Sequence, residues 1–132
     1  TNEISMAASN VSKLSGVRSA LVAAQRKIAA NKGYILDGRD ICDVVLPDAE
    51  VKVFLTASAE DRARRRLEQN KEKGIIDDYD KILKEIQERD YQDSHRAISP
   101  LKASADATII DSSDKSIDEV VNMILDLVYK KI

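Results

Sequence analysis

Apolar residues recur every three or four positions over long stretches of this chain, a period typical of helices with one buried face. The clearest predicted helix covers residues 17–30, where Val17, Leu21, Ala24 and Ile28 form the apolar stripe. A glycine at position 33 follows it, where helices commonly stop. The same analysis predicts helices over residues 1–15, 58–73, 78–95 and 116–128.

Polar residues mark the predicted starts of three of these helices. Ser58 is the expected N-cap of the helix that follows it, with Asp61 at the third helical position. Asp77 and Asp78 precede the next helix, and Ser116 precedes the last one. Short side chains with a free oxygen are favoured at these positions because they accept from the unpaired N–H groups of the first turn.

Three short apolar segments read as strands, at residues 34–36, 51–55 and 107–110. They alternate with helices, and this order indicates a parallel sheet in an α/β fold. Three strands are few for so many helices, so we expect an incomplete sheet. A further short apolar segment at residues 41–46 ends at a proline.

Composition fits one soluble globular domain. The 132 residues are 43% apolar and 33% charged, with a net charge of −2, so the molecule as a whole is not a polyanion binder. The single cysteine, Cys42, excludes an internal disulfide framework and fits a reducing, cytoplasmic compartment. No apolar run is long enough for a membrane span. Aromatics at 4% argue against a base-stacking nucleic-acid platform.

The segment after the first predicted strand carries the first candidate chemistry. Asp37, Gly38, Arg39 and Asp40 follow the apolar residues 34–36 directly. Ligands of open α/β sheets bind outside the carboxyl ends of the strands, which is where these side chains are expected. The alternative is a plain polar turn, which an Asp-Gly pair taken alone would favour.

Four arginines lie within residues 62–66, in the first turns of a predicted helix. A solvated helix face, with Glu60, Asp61 and Glu68 interleaved, explains one or two of them. Four guanidinium groups just after a strand also suit a mobile cover over phosphates, because each group matches two phosphate oxygens.

A third cluster lies near the end of the 78–95 helix. Arg89, Asp93 and Arg96 are spaced by four and three residues and share one helix face, although a salt-bridge ladder has the same spacing. His95 lies off that face and is predicted to be a surface residue. Together with Arg18, these arginines supply the converging positive charge that phosphoryl transfer requires.

These motifs closely resemble the bacterial cytidylate kinase (CMP/dCMP kinase) family. Residues 33–57 match a strand ending in Asp-Gly-Arg-Asp, a Val-Val-x-Pro-Asp-Ala turn and a Val-Lys-x-Phe-Leu strand. Residues 84–101 match the family's Glu-Arg-Asp and Asp-x-x-Arg helix, and residues 7–21 resemble its helix leading to Val-Arg-x-x-Leu. The similarity covers essentially the whole chain.

The resemblance implies an α/β fold of the P-loop nucleoside monophosphate kinase type, with a partial parallel sheet flanked by helices and the P-loop strand absent. We expect one partial kinase domain. Its parts are residues 1–32 (helices at the CMP side), 33–57 (core strands), 58–96 (a lid-like helical region) and 97–132 (a core strand and the terminal helix). The implied reaction transfers the γ-phosphoryl group of ATP to CMP or dCMP, with Mg²⁺.

The resemblance also implies roles for individual residues. The residues expected to bind CMP are Ser9, Arg18, Arg39, Asp40, Arg89, Asp93 and Arg96. Of these, Arg39, Arg89 and Asp93 are expected to serve catalysis. Arg62 and Arg65 would be lid arginines that face the ATP phosphates. Asp37 would hold Mg²⁺ through water.

Three positions depart from the family's pattern. Cys42 and Asp43 stand where the family usually has Gly-Thr, and Gln92 stands where many members carry another arginine. Either change could weaken nucleotide affinity. The 132 residues also contain no G-x-x-x-x-G-K-[ST] motif.

In the family, that phosphate-binding loop precedes the region represented here. We therefore expect the carboxyl-terminal portion of such a kinase, inactive by itself. The family's loop-bearing strand lies between the strands at 34–36 and 51–55, so a gap is expected there, open to the missing amino-terminal piece or to a second copy. The alternative is a non-catalytic nucleotide-binding or interaction domain that has lost the ATP site. RNA binding through residues 62–66 is disfavoured by the acidic net charge and the few aromatics.

Overall fold

The structure is a computed structural model that describes residues 2–97 and 100–132. In this part of the chain, helices alternate with two short strands. The elements are α1 (Asn2–Val11), α2 (Ser15–Ala29), a π-helical turn (Ile41–Val45), β1 (Val53–Thr56), α3 (Ala59–Glu72), α4 (Tyr79–His95), β2 (Thr108–Asp111) and α5 (Ile117–Tyr129). The predicted helices are all present, but the first ends at Val11 and α2 begins at Ser15, two residues before its predicted start. Residue 1 of the first prediction lies outside the described residues. None of the described helices has the length and apolar character needed to cross a bilayer.

The helix starts that the sequence predicted are confirmed. The Ser58 side chain accepts from the Asp61 N–H at 3.1 Å, and Asp78 accepts from the N–H three residues later at 3.0 Å. Ser116 and Glu119 form a reciprocal capping box at the start of α5, in which each side chain accepts from the other residue's backbone N–H. That contact lowers the pKa of Glu119. These bonds use only residues within one turn, which is why the local sequence predicts them.

The sheet consists of two parallel strands. In the register of this sheet, Val53 lies opposite Thr108 at one end and Thr56 lies opposite Asp111 at the other. The predicted strands at 51–55 and 107–110 are confirmed, each displaced by one or two residues.

The predicted strand at residues 34–36 is wrong, because this segment has no regular secondary structure and Ile35 is 98% exposed. An extended segment becomes a strand only when a neighbour accepts and donates its backbone hydrogen bonds. The two described strands pair with each other and not with this segment.

The core is small and lies where α3 packs on α4, where β1 pairs with β2, and where α2 meets the 41–45 turn. Its buried apolar residues are Ile41, Val45, Ala63, Ile82 and Ile110. The predicted amphipathic stripe of α5 has no buried residue, and Ile117 is 82% exposed. Much of the apolar pattern is therefore solvent-facing in the described part of the chain.

Helix α3 begins at the carboxyl edge of the sheet and is attached there. The buried carboxylate of Asp61 accepts from the backbone N–H of Asp114 at 2.9 Å, and the Ser58 N–H donates to Ser113 Oγ at 3.0 Å. These bonds join the first turn of α3 to the segment that leaves β2. The run of arginines in α3 is thereby placed at the strand ends, where ligands bind in open α/β sheets.

Candidate functional site

The bend at residues 38–40 orients two of the predicted site residues. A Cβ at Gly38 would approach Ile41 Cγ1 to 2.9 Å, so any other residue there would require the buried Ile41 side chain to shift. The carbonyl of Asp40 accepts from the backbone N–H groups of Val44 and Val45 at 2.9 and 3.3 Å. The 41–45 turn therefore determines the direction in which the residues after Gly38 leave the bend.

Arg18 of α2 and Asp40 of the bend form an ion pair through Arg18 Nη2 and Asp40 Oδ2. Both side chains are 17% exposed, so water screens this pair only partly. The two residues are 22 positions apart in sequence. The structure thus brings together two residues that the sequence predicts at the cytidine side of the site.

The carboxylate of Asp93 joins two of the predicted arginines. Arg39 Nε lies 2.5 Å from Asp93 Oδ2, and Arg89 Nε lies 3.9 Å from the same oxygen. Asp93 is only 5% exposed, and its backbone carbonyl accepts from the Leu101 N–H at 2.8 Å. Arg39 follows the predicted strand, and Arg89 and Asp93 lie on α4, so the fold gathers residues from distant segments.

A cleft of about 400 Å³ opens between α3 and α4, with Ser5 of α1 at its side. Its basic lining consists of Arg62, Arg65, Arg66, Lys81 and Arg89, with Asp77 and Glu85 as the acidic members. This concentration of guanidinium and ammonium groups suits a multiply charged anion such as a polyphosphate. Arg89 lines this cleft and also faces Asp93, so the cleft and the Arg39 cluster share this one side chain.

The two predicted lid arginines line the cleft, but protein acceptors hold both. Arg62 donates from Nη1 and Nη2 to the two carboxylate oxygens of Asp90, at 2.8 and 2.5 Å, and this hydrogen bonding raises the pKa of Arg62. Arg65 donates from Nη2 to the carbonyl of Ser112 at 2.5 Å and from Nη1 to its hydroxyl at 3.2 Å. An incoming phosphate would therefore compete with Asp90 for Arg62.

The remaining predicted residues lie on neighbouring segments. Ser9 is half-buried on α1, and Arg96 is the C-cap of α4, three residues after Asp93. Asp37 is exposed, two residues before Arg39. The ion pairs described above involve five predicted CMP-site residues, namely Arg18, Arg39, Asp40, Arg89 and Asp93.

No group of three His, Cys, Asp or Glu side chains within residues 2–97 and 100–132 could hold a metal ion. Mg²⁺ in nucleotide enzymes is commonly held by one or two carboxylates, with water and substrate phosphates supplying the other oxygens. The exposed carboxylate of Asp37 fits that requirement, because a nucleotide would bring the remaining ligands.

The structure also adds residues that the sequence reasoning missed. Lys81 and Glu85 precede Arg89 and Asp93 at successive steps of four along α4, so one helix face runs from the cleft to the Arg39 cluster. That spacing was visible in the sequence. Asp90 carried no such signal, since its partner Arg62 is 28 positions away.

The departures from the family pattern and the lone histidine lie at or near the surface. Cys42 is half-buried in the 41–45 turn, while Asp43 and Gln92 are exposed. The prediction of a surface His95 is confirmed, and its ring stacks on Tyr91 with 4.0 Å between the ring centroids.

Comparison with known proteins identifies the family of this chain. The family model described as cytidylate kinase matches residues 1–130. A cytidylate kinase of Caldicellulosiruptor saccharolyticus is 51% identical over 129 residues, covering 98% of this chain and 57% of that protein. Cytidylate kinases of Desulforamulus reducens and Streptococcus pyogenes are 52% and 54% identical, covering 98% and 93% of this chain and 59% and 54% of their own lengths. The chain therefore spans little more than half the length of these relatives.

Proposed function

Because this chain belongs to the cytidylate kinase family, we propose that it is the carboxyl-terminal portion of an enzyme that transfers the γ-phosphoryl group of ATP to CMP or dCMP. The observation that carries this proposal is the Asp93 carboxylate between Arg39 and Arg89, next to a cleft with five basic side chains. We place the enzyme in the cytoplasm, where its free cysteine would stay reduced.

At the CMP side, Ser9 and Arg18 read the cytosine and Arg39 holds the phosphate. Asp40 joins the pyrimidine or arginine network beside it, and its ion pair with Arg18 supports this placement. Asp93 keeps the Arg39 and Arg89 guanidinium groups near each other before the substrate arrives, so less ordering remains to be done on binding. The CMP phosphate then competes with Asp93 for Arg39. Once the phosphate holds Arg39, the Asp93 carboxylate can accept a hydrogen bond from a ribose hydroxyl. Arg96, the C-cap of α4, contacts CMP in the same site.

At the ATP side, the cleft holds the donor phosphates through Arg62 and Arg65, with Arg66 and Lys81 adding positive charge. Phosphoryl transfer has a loose transition state with charge spread over the equatorial oxygens, so catalysis is mostly positioning and neutralisation. Asp37 would hold Mg²⁺ through water, and the bound ion would neutralise charge on the β- and γ-phosphates.

A second candidate is a domain that binds CMP without transferring phosphate. It is favoured by one observation: the residues expected at CMP are present, while the 132 residues include no glycine-rich phosphate-binding motif. We propose that the 132-residue chain, taken alone, binds CMP without transferring phosphate. The two candidates differ in what precedes Thr1. The enzyme proposal requires an upstream reading frame with a glycine-rich loop that ends in Lys-Ser or Lys-Thr, and the binding-domain proposal does not.

The decisive experiment measures ATP-dependent CDP formation by the longer protein that this proposal requires, and by the 132-residue chain alone. We expect activity only from the longer protein. Within it, Arg39→Met should lower kcat/KM about 100-fold, the usual loss for one charge-stabilising donor.

Arg64→Met is the matched control, because Arg64 is 60% exposed and pairs with Asp61 outside the cleft. Equal activity of the Arg39 and Arg64 variants would contradict the proposal. So would CDP formation by the chain alone, since it would show that the glycine-rich loop is not needed.

A further inference from the structure

Arg26 attaches the end of the 41–45 turn to α2. Its Nε donates to the carbonyl of Val45 at 2.9 Å, and its Nη2 donates to the carbonyl of Val44 at 2.6 Å. Carbonyls at the end of a helical turn have no partner within that turn, and a cation is favourable beside them. The guanidinium of Arg26 supplies both the donors and the charge.

A second attachment joins α2 to the beginning of the same turn. This is the ion pair between Arg18 and Asp40. Arg18 and Arg26 are eight residues apart, which corresponds to about 12 Å along a helix. The Asp40 carbonyl accepts from the N–H groups of Val44 and Val45, so the turn's own backbone connects the two attachments.

Two attachments restrict α2 more than one would. Packing of α2 on the turn and the contacts of Arg18 already restrain the helix near the site. The Arg26 bonds add a restraint eight residues away, and it is directional because two donors meet two successive carbonyls.

We propose that Arg26 is a positioning residue for the nucleotide site: by holding α2 on the turn, it keeps Arg18 aligned with Asp40. This inference rests on the proposed function, in which Arg18 reads the cytosine. Arg26 itself touches no substrate, so its effect on CMP passes through Arg18.

The first test needs no nucleotide. Hydrogen exchange of the Arg18 guanidinium is followed by NMR in the ligand-free chain. We expect Arg26→Gln to speed this exchange about tenfold, the loss expected when a hydrogen bond to a charged group is weakened. Lys27→Gln is the matched control, because it removes the same charge from the next, exposed residue and should leave the exchange rate unchanged.

The second test is a double-mutant cycle on CMP affinity, measured by calorimetry. Arg26→Gln should weaken CMP binding about tenfold when Arg18 is present and have no further effect in the Arg18→Met background. Arg26→Lys should recover part of the CMP affinity that Arg26→Gln loses. An ammonium group can donate to a carbonyl, but it cannot reproduce the two donors that a planar guanidinium directs at adjacent carbonyls. This variant also provides the measurement if Arg26→Gln fails to fold, as judged by circular dichroism.

The outcomes separate this inference from the proposed function. Unchanged Arg18 exchange in the Arg26 variant overturns the inference, whether or not CMP binds. An equal loss of CMP affinity with and without Arg18 also overturns it. Faster Arg18 exchange together with no CMP binding by the wild-type chain supports the positioning role and contradicts the proposed function for this chain.

Discussion

Arg39 Nε lies 2.5 Å from Asp93 Oδ2, although the two residues are 54 positions apart in sequence. The contact joins the 38–40 bend to the last turns of α4. Asp93 is almost fully buried, and the Arg39 side chain is 40% exposed, so one partner is held rigidly while the other reaches solvent. A phosphate arriving from solvent can therefore approach Arg39 without unpacking the helix.

The Asp93 carboxylate is expected to contribute measurably to folding. Asp93→Asn removes the charge that faces both Arg39 and Arg89. The variant should lower the free energy of unfolding by about 1–2 kcal/mol, less than for a fully buried pair because solvent reaches Arg39. Urea denaturation measures the difference. Glu88→Gln, an exposed change on the same helix, should leave stability unchanged, and equal stability of the two variants would show that the Asp93 contacts contribute nothing.

Adjacent isoleucines in β2 should respond differently to truncation. Ile110 is 2% exposed and Ile109 is 62% exposed. Ile110→Ala should cost about 2–4 kcal/mol, since it removes buried methyl groups and leaves a cavity. Ile109→Ala should change stability by no more than about 0.5 kcal/mol. Thermal and urea unfolding of both variants test the assignment of faces, and a larger loss at Ile109 would mean that the sheet's buried face has been misassigned.

Asp90 should oppose polyphosphate binding in the cleft. It holds Arg62 through two hydrogen bonds, and both side chains are partly exposed, so the pair is weak enough for a phosphate to replace it. Asp90→Asn should therefore strengthen binding of ATP or inorganic tripolyphosphate, by at most about fivefold. Arg62→Met should weaken it. Calorimetry provides the affinities.

The control for Asp90 is Asp80→Asn, which removes an exposed carboxylate from the first turn of the same helix. If both aspartate variants strengthened polyphosphate binding equally, the effect would come from net charge and not from the release of Arg62.

The ion pair between Lys52 and Asp106 should make stability depend on pH in acid. Lys52 is buried and its Nζ lies 2.5 Å from Asp106 Oδ2, and this hydrogen bond lowers the pKa of Asp106 below its ordinary value of 3.8. A lowered folded-state pKa stabilises the fold at pH values above 3.8, and the stabilisation is lost as the pH falls through the folded-state value.

The measurement is the free energy of unfolding near pH 6 and near pH 2, roughly two units on either side of the ordinary value. Asp106→Asn should lose less stability on acidification than the wild-type chain. Asp48→Asn, at an exposed aspartate, should follow the wild-type profile. Identical pH profiles for all three proteins would mean that the Lys52 contact does not persist in solution.

Features that depend on neighbouring residues were predictable from the sequence. Ser58, Asp78 and Ser116 cap helices through bonds to residues three positions away, so the local pattern was sufficient. The motifs that resemble the cytidylate kinase family also predict that Arg39, Arg89 and Asp93 lie near one another, and the structure brings these side chains together.

Contacts between distant segments were decided only by the tertiary structure. The apolar residues 34–36 have the composition of a strand, but no strand in the described chain pairs with them, and a strand without a partner leaves its backbone groups unpaired. The partners of Arg62, Arg65 and Arg26 likewise lie 28, 47 and 18–19 positions away. Sequence alone determined which groups carry charge and where helices begin, because both follow from residue type and near neighbours. Which acceptor each guanidinium meets depends on how the elements pack, and only the folded chain specifies that.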